Sequence, residues 1–158
     1  MTVWDWIFLV SLIVIVIIVI YTIRLRLLNL WRQVTELEVQ FYRQIEHTLT
    51  VYLTHKTFFD VPEANVPLKI LQKYRKDKIR KLFLHQRQDI FSALRNLYSI
   101  IEWQEDPDLK PLKKAFRSLQ KTRRTYNSKV LLYNQTINIF PTRYLAIKLE
   151  LEVKEYFG

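Results

Sequence analysis

Residues 126–141 read YNSKVLLYNQTINIFP: Tyr126-Asn127 is repeated seven residues later as Tyr133-Asn134, and Phe140-Pro141 closes the run. Seven residues make two turns of α-helix, so the repeat sets both tyrosines on one face with an asparagine beside each. Carried both ways, the register collects Leu112, Phe116, Leu119, Arg123, Tyr126, Val130, Tyr133, Ile137 and Phe140, an unbroken alternation of four and three. That narrow seam predicts a long helix pressed against partner helices, in coiled-coil fashion, with Arg123 alone breaking the apolar rule. The helix is expected to stop at Phe140, because proline drives the residue before it out of the helical region.

Working outward, QEDPD at residues 104–108 is a break, with Asp108 as N-cap and Pro111 in the first turn, where a backbone N–H has no intrahelical partner. Before it, residues 68–103 hold neither proline nor glycine, and Leu71, Leu82, Ile90, Leu94, Leu97 and Ile101 mark an apolar side. Read as one helix, this stretch is about 54 Å long and needs equally long partners. DVPEANVP at residues 60–67 is turn chemistry. A first helix precedes it, with the seam Leu27, Leu30, Val34, Leu37, Phe41, Ile45, Leu49 and Tyr52. After Pro141, residues 142–150 are expected to form a short fourth helix and the Tyr156-Phe157 end to pack irregularly.

The N-terminus is of another kind. Residues 6–23 are apolar except for Ser11, Tyr21 and Thr22, and Trp4 and Trp6 stand where an interfacial aromatic belt belongs. As a helix the stretch covers about 27 Å, close to the hydrocarbon thickness of a bilayer. A cleaved signal peptide fits less well, since no basic region precedes the apolar core and no small-residue cleavage site follows it. Ile and Val occupy every face of the stretch, which argues against a buried globular helix. Asp5 precedes the span, while Arg24, Arg26 and Arg32 follow it. The positive-inside rule then puts the N-terminus outside and the remainder in the cytoplasm. The expected fold is all-α: a transmembrane anchor at residues 1–26, then residues 27–158 as an antiparallel bundle of three long helices plus a short C-terminal one.

The run DPDLKPLKKAFRSLQKTRRTYNSKVLLYNQTINIFP, followed by RYLA and a terminal YF, resembles the signature of LemA family proteins. The likeness is closest over residues 107–146, where it carries Tyr126, Asn127, Tyr133, Asn134, Phe140 and Pro141. Val39-Gln40-Phe41 is fainter, and residues 35–55 lack the family's basic and Pro-Asn stretch. The resemblance implies a helical bundle behind one N-terminal membrane span. It implies no reaction, because the family's biochemical activity is not established.

Composition closes several routes. The sole glycine is Gly158 and there is no cysteine. Phosphate-cradling loops and tight β-hairpins need glycine, and disulfides, thiolate metal sites and cysteine nucleophiles need cysteine. His47 and His55 are eight apart, whereas a helical metal pair is spaced by three or four, and His85 stands on another helix. These read as ordinary surface histidines, and no catalytic residue, cofactor or metal is expected. Asn127 and Asn134 either grip a polar ligand or hydrogen-bond across a helix interface to fix register; the second is the simpler reading.

Charge is uneven. Residues 69–87 carry +7 and residues 110–129 carry +8, leaving −5 for the rest of a chain whose net charge is +10. Anionic lipid, an acidic protein surface and nucleic acid all suit such patches, but the aromatics sit at seam spacing and are not interleaved with the basic residues, which argues against nucleic acid. If the second helix returns to the bilayer, Lys110, Lys113, Lys114, Arg117 and Lys121 lie near it and touch the membrane surface or an acidic partner. Level helix ends also place Arg123 within a turn of Glu38 and Asp89, as a buried polar layer. The expected function is a single-pass, membrane-anchored binding or scaffolding protein and not an enzyme, with anionic lipid, another membrane protein or a second copy as partner. The rival readings are a membrane-bound hydrolase whose site is assembled only in space, and a basic nucleic-acid-binding module.

Overall fold

A computed structural model describes residues 3–157, and the described residues that form regular structure are all helical. Helix α1 spans Val3–Thr54, α2 Asn65–Lys73, α3 Leu84–Ile101, α4 Lys110–Asn138 and α5 Thr142–Lys148. Short 3-10 turns lie at Lys56–Phe59, Pro62–Ala64, Ile79–Lys81 and Pro107–Leu109. Two compact units share α1 and α4: one comprises residues 3–35 and 129–155, the other residues 36–128 with 156–157.

In the larger unit, the helix expected over residues 68–103 is instead two helices. The charged run Arg75-Lys76-Asp77-Lys78 forms the break, and Ile79 behind it is buried. The Glu46 carboxylate accepts the Ile79 backbone N–H at 3.2 Å, holding the loop against α1. Crowded like charges weaken a helix at this point, and a buried apolar side chain anchors the non-helical path. A second helix then starts with Gln86 Oε1 accepting the Phe83 N–H at 3.0 Å.

The break changes every direction after it. Phe59 stacks on Tyr52 at 5.6 Å and Ile79 lies beside Glu46, so the chain between them runs back along α1. Helix α2 packs against α3, making a helical hairpin. The Arg87 guanidinium then reaches the Tyr42 hydroxyl, while Tyr98, eleven residues on, stacks on Phe116, whose neighbour Ala115 lies beside Thr48 further along α1. Helix α3 therefore runs parallel to α1. Helix α4 reverses again: Phe116 stacks on Tyr98 at 4.5 Å and Arg123 lies over Phe91. Relative to α1, Thr48 donates toward the Ala115 carbonyl at 3.4 Å and Tyr126 stacks on Phe41 at 5.8 Å, so α1 and α4 are antiparallel. The up-down-up order expected from the sequence had made them parallel.

The apolar seams are otherwise as read. On α1, Leu27, Leu30, Val34, Phe41, Ile45, Leu49 and Tyr52 are buried, with Leu37 half-buried. On α4, Leu112 to Ile137 are buried apart from half-buried Arg123, whereas Phe140 is 86% exposed. The cap before α4 is Asp106, not Asp108: its carboxylate accepts the Asp108 N–H at 2.9 Å across the Pro107–Leu109 turn.

In the smaller unit, Tyr133 packs on Trp31 with ring centroids 5.8 Å apart, and Lys129 donates to Gln33 at 2.9 Å. Here too α4 runs antiparallel to α1. An 18-residue window of α1 has mean hydropathy 3.1 and none of it is buried in the protein, so the helix is long and apolar enough to cross a bilayer.

Candidate functional site: the Tyr-Asn face and the C-terminal tail

The two asparagines of the repeat hold the chain's own C-terminal segment. In the smaller unit, Asn134 donates to the Lys154 carbonyl at 2.8 Å and accepts the Lys154 N–H at 2.9 Å. Tyr133 donates to the Glu152 carbonyl at 2.8 Å, and the Lys154 ammonium lies 4.6 Å from the centroid of Trp31. In the larger unit, Asn127 repeats the pattern on Phe157, donating to its carbonyl at 2.8 Å and accepting its N–H at 3.0 Å. Each amide thus satisfies one backbone donor and one acceptor, as a neighbouring strand would.

Phe157 is buried, edge-on to Phe41 at 4.7 Å and to Phe91 at 5.6 Å. The reading of Asn127 and Asn134 as links between helices is corrected: their partners are backbone groups of an extended tail. Burial of Tyr133 pushes its phenol up to about 12, with Glu152 adding to the effect.

Arg123 has other neighbours than expected. Its guanidinium lies 4.9 Å from the Phe91 ring centroid, and its buried Nε has no hydrogen-bond partner. Burial lowers its proton affinity most, and the nearby cations Arg124 and Arg95 lower it further. Asp89 is exposed, and half-buried Glu38 accepts the Tyr42 hydroxyl at 2.8 Å. With Asp89 exposed and Arg123 and Glu38 only half-buried, the three do not make the buried layer expected from the sequence. With α3 parallel to α1, Arg87 rather than Asp89 comes level with this part of α1, and its guanidinium lies over the Tyr42 ring at 4.8 Å. A cation on an aromatic face takes the place of the ion pair.

The basic residues of α4 form an open surface. Lys110, Lys113, Lys114, Arg117 and Lys121 line one shallow groove, and Arg117 also borders a second with Tyr98, Gln120 and Arg124. Arg117 Nε donates toward the Tyr98 hydroxyl at 3.5 Å, which raises the guanidinium's proton affinity. Lys113 donates to the Glu102 carbonyl at 2.9 Å and also to that of Gln104, tying the α3–α4 turn to this face. The set was expected at the apolar end of α1. Because α4 is antiparallel to α1, its first turns lie beside Gln44 and Thr48 instead, toward the C-terminal end of α1.

His55 and His85 are separately engaged, and His47 is exposed. His55 Nδ1 lies 2.9 Å from the Val51 carbonyl, and His85 stacks on Phe83 at 5.8 Å. Among the described residues no group of three His, Asp or Glu is placed to hold a metal ion. Compared with known proteins, the chain matches no family model, no curated protein and no solved structure.

Proposed function

We propose that this protein is a single-pass, membrane-anchored helical bundle of LemA type that binds or scaffolds a partner and does not catalyse a reaction. One observation carries the reading: no residue in the most apolar 18-residue window of α1 is buried in the protein. Leaving so many Ile and Val side chains in water costs about 25 cal/mol for every Å² of apolar surface, and a hydrocarbon core removes that cost. The stretch continues without a break into the helix that bears Leu27 to Tyr52. An anchor so joined holds the helical domain at the bilayer. Arg24, Arg26 and Arg32 after the span, against Asp5 before it, favour a cytoplasmic domain.

The partner surface of this proposal is the basic face of α4. Its cations neighbour one another, with Lys110, Lys114, Arg117 and Lys121 exposed and Lys113 half-buried, and an acidic protein surface, belonging to another membrane protein, complements them. The LemA resemblance supports the same architecture: of the motif residues it rests on, Tyr126 and Tyr133 are buried in the helix seam, and Asn127, Tyr133 and Asn134 bond the tail.

Crosslinking in the native membrane tests the binding role. The full-length chain is expected to capture a specific neighbour, and the combined Lys113→Glu, Lys114→Glu and Arg117→Glu variant is expected to lose it while staying in the membrane fraction. An unchanged crosslinking pattern in the charge-reversed protein contradicts the proposed surface.

A further inference from the structure

Within the smaller unit, an apolar segment lies beside the apolar part of α1. Ile15, Val19 and Ile23, spaced by four on α1, line one cleft with Phe140, Tyr144 and Lys148, themselves spaced by four. Around that cleft the apolar side chains turn outward: Ile139 is 61% exposed, Phe140 86%, Tyr144 60% and Ile147 67%. On the other side of α5, Ala146 is buried. A short segment that buries Ala146 on one side and turns Phe140, Tyr144 and Ile147 outward leaves much apolar surface in water. Arg143 and Lys148 are exposed beside these residues, and Lys148 lies over the Tyr144 ring at 5.2 Å. Aromatic and aliphatic side chains flanked by long cations are the composition of a segment lying in a membrane interface, where the apolar groups enter the acyl region and the cations reach headgroup phosphates.

We infer that residues 139–148 insert into the leaflet that borders the domain, forming a second membrane contact beside the span. The inference rests on the membrane-anchor reading, and geometry then requires it: side chains that share a cleft with Ile15, Val19 and Ile23 lie at the depth of those residues. Ile15 precedes Ile23 by eight residues, about 12 Å along the helix, so the cleft reaches from the interface toward the middle of the bilayer. The backbone suits that setting. Arg143 N–H donates to the Ile139 carbonyl at 2.8 Å, Tyr144 N–H to Pro141 at 3.3 Å and Leu149 N–H to Leu145 at 3.0 Å. The Thr142 hydroxyl donates to the Ile139 carbonyl at 2.6 Å and also to that of Thr136. Polar backbone groups satisfied within the segment do not oppose entry into lipid.

The absence of native cysteine makes the test clean. Full-length protein is reconstituted into vesicles of phosphatidylcholine and phosphatidylglycerol, carrying one of Phe140→Cys, Tyr144→Cys, Ile147→Cys, Ile13→Cys or Lys76→Cys, each labelled with an environment-sensitive fluorophore. Labels at the first three positions are expected to be quenched several-fold more by lipid-borne nitroxide than the label at position 76, and to be protected from iodide. Quenching at position 13 with iodide-accessible labels at 140, 144 and 147 overturns the insertion and leaves the anchor standing. Iodide access at position 13 as well overturns both.

Discussion

The side-chain amide of Asn134 exchanges two hydrogen bonds with the backbone of Lys154, giving one at 2.8 Å and taking one at 2.9 Å. It is 7% exposed, so a lost partner there is not replaced freely by water. Asn134→Ala leaves both backbone groups unpaired and is expected to destabilise the fold by about 1–3 kcal/mol. Asn134→Asp keeps the acceptor but loses the donor and sets a carboxylate against the Lys154 carbonyl, so it should be no better tolerated. Urea unfolding in detergent measures both, and limited proteolysis should cut the 151–157 segment faster in each. Wild-type stability and protection in both variants would contradict the clamp.

Ile79 tests the break between α2 and α3. It is 1% exposed, so Ile79→Ala should cost about 2–4 kcal/mol by opening a cavity. Hydrogen exchange at the Ile79 amide, held by Glu46, should be slow in the wild type and accelerate in Glu46→Ala. A fast wild-type amide would show that the loop is not docked as described.

That break also marks how far the sequence could be read. The 3.6-residue period located α1 and α4 and named most of their buried residues, because a seam of Leu, Ile, Phe and Tyr is a direct imprint of packing. Residues 74–83 contain no proline or glycine and are rich in Lys and Arg, which are good helix formers, so local propensity pointed to one continuous helix. What overrides it is tertiary: Ile79 buried behind a cluster of cations, with its N–H taken by a residue 33 positions away. The crowding of six Lys and Arg between 73 and 81 was the available hint. Missing one reversal turned α4 around, and with it the expected position of Lys110 to Lys121. The Tyr-Asn heptad was visible, but its partner was not, since an extended tail has no helical period to match.

Arg123 offers a contrast between a buried ion pair and a cation on a ring. Removing one member of a buried pair costs about 3–5 kcal/mol. Here the cation is crowded by Arg95 and Arg124, and its Nε is unpartnered. Arg123→Met keeps the stem against Phe91 and relieves the repulsion, so stability should change by less than about 1 kcal/mol in either direction. A loss of several kcal/mol in urea unfolding would point to a carboxylate partner instead.

Alkali should unfold the protein through its buried phenols. Tyr133 is raised from 10.0 to about 12, and burial raises Tyr42 and Tyr52 further in the same direction. Between these values the unfolded phenol has lost its proton and the folded one has not. The native state then binds more protons, so stability is intact below pH 10 and falls as the pH rises toward 12. Tyrosinate absorbance should show a late, cooperative step coincident with loss of helical circular dichroism. Absence of that late step would contradict the burial of Tyr42, Tyr52 and Tyr133.

Membrane anchoring through residues 6–23 is tested most directly by alkaline carbonate extraction of the full-length chain, with peptide mapping of the retained protein. The account predicts that the protein stays with the membrane pellet and that its peptides include residues 6–23. Release into the carbonate supernatant, or a mature chain that lacks those residues, would contradict it.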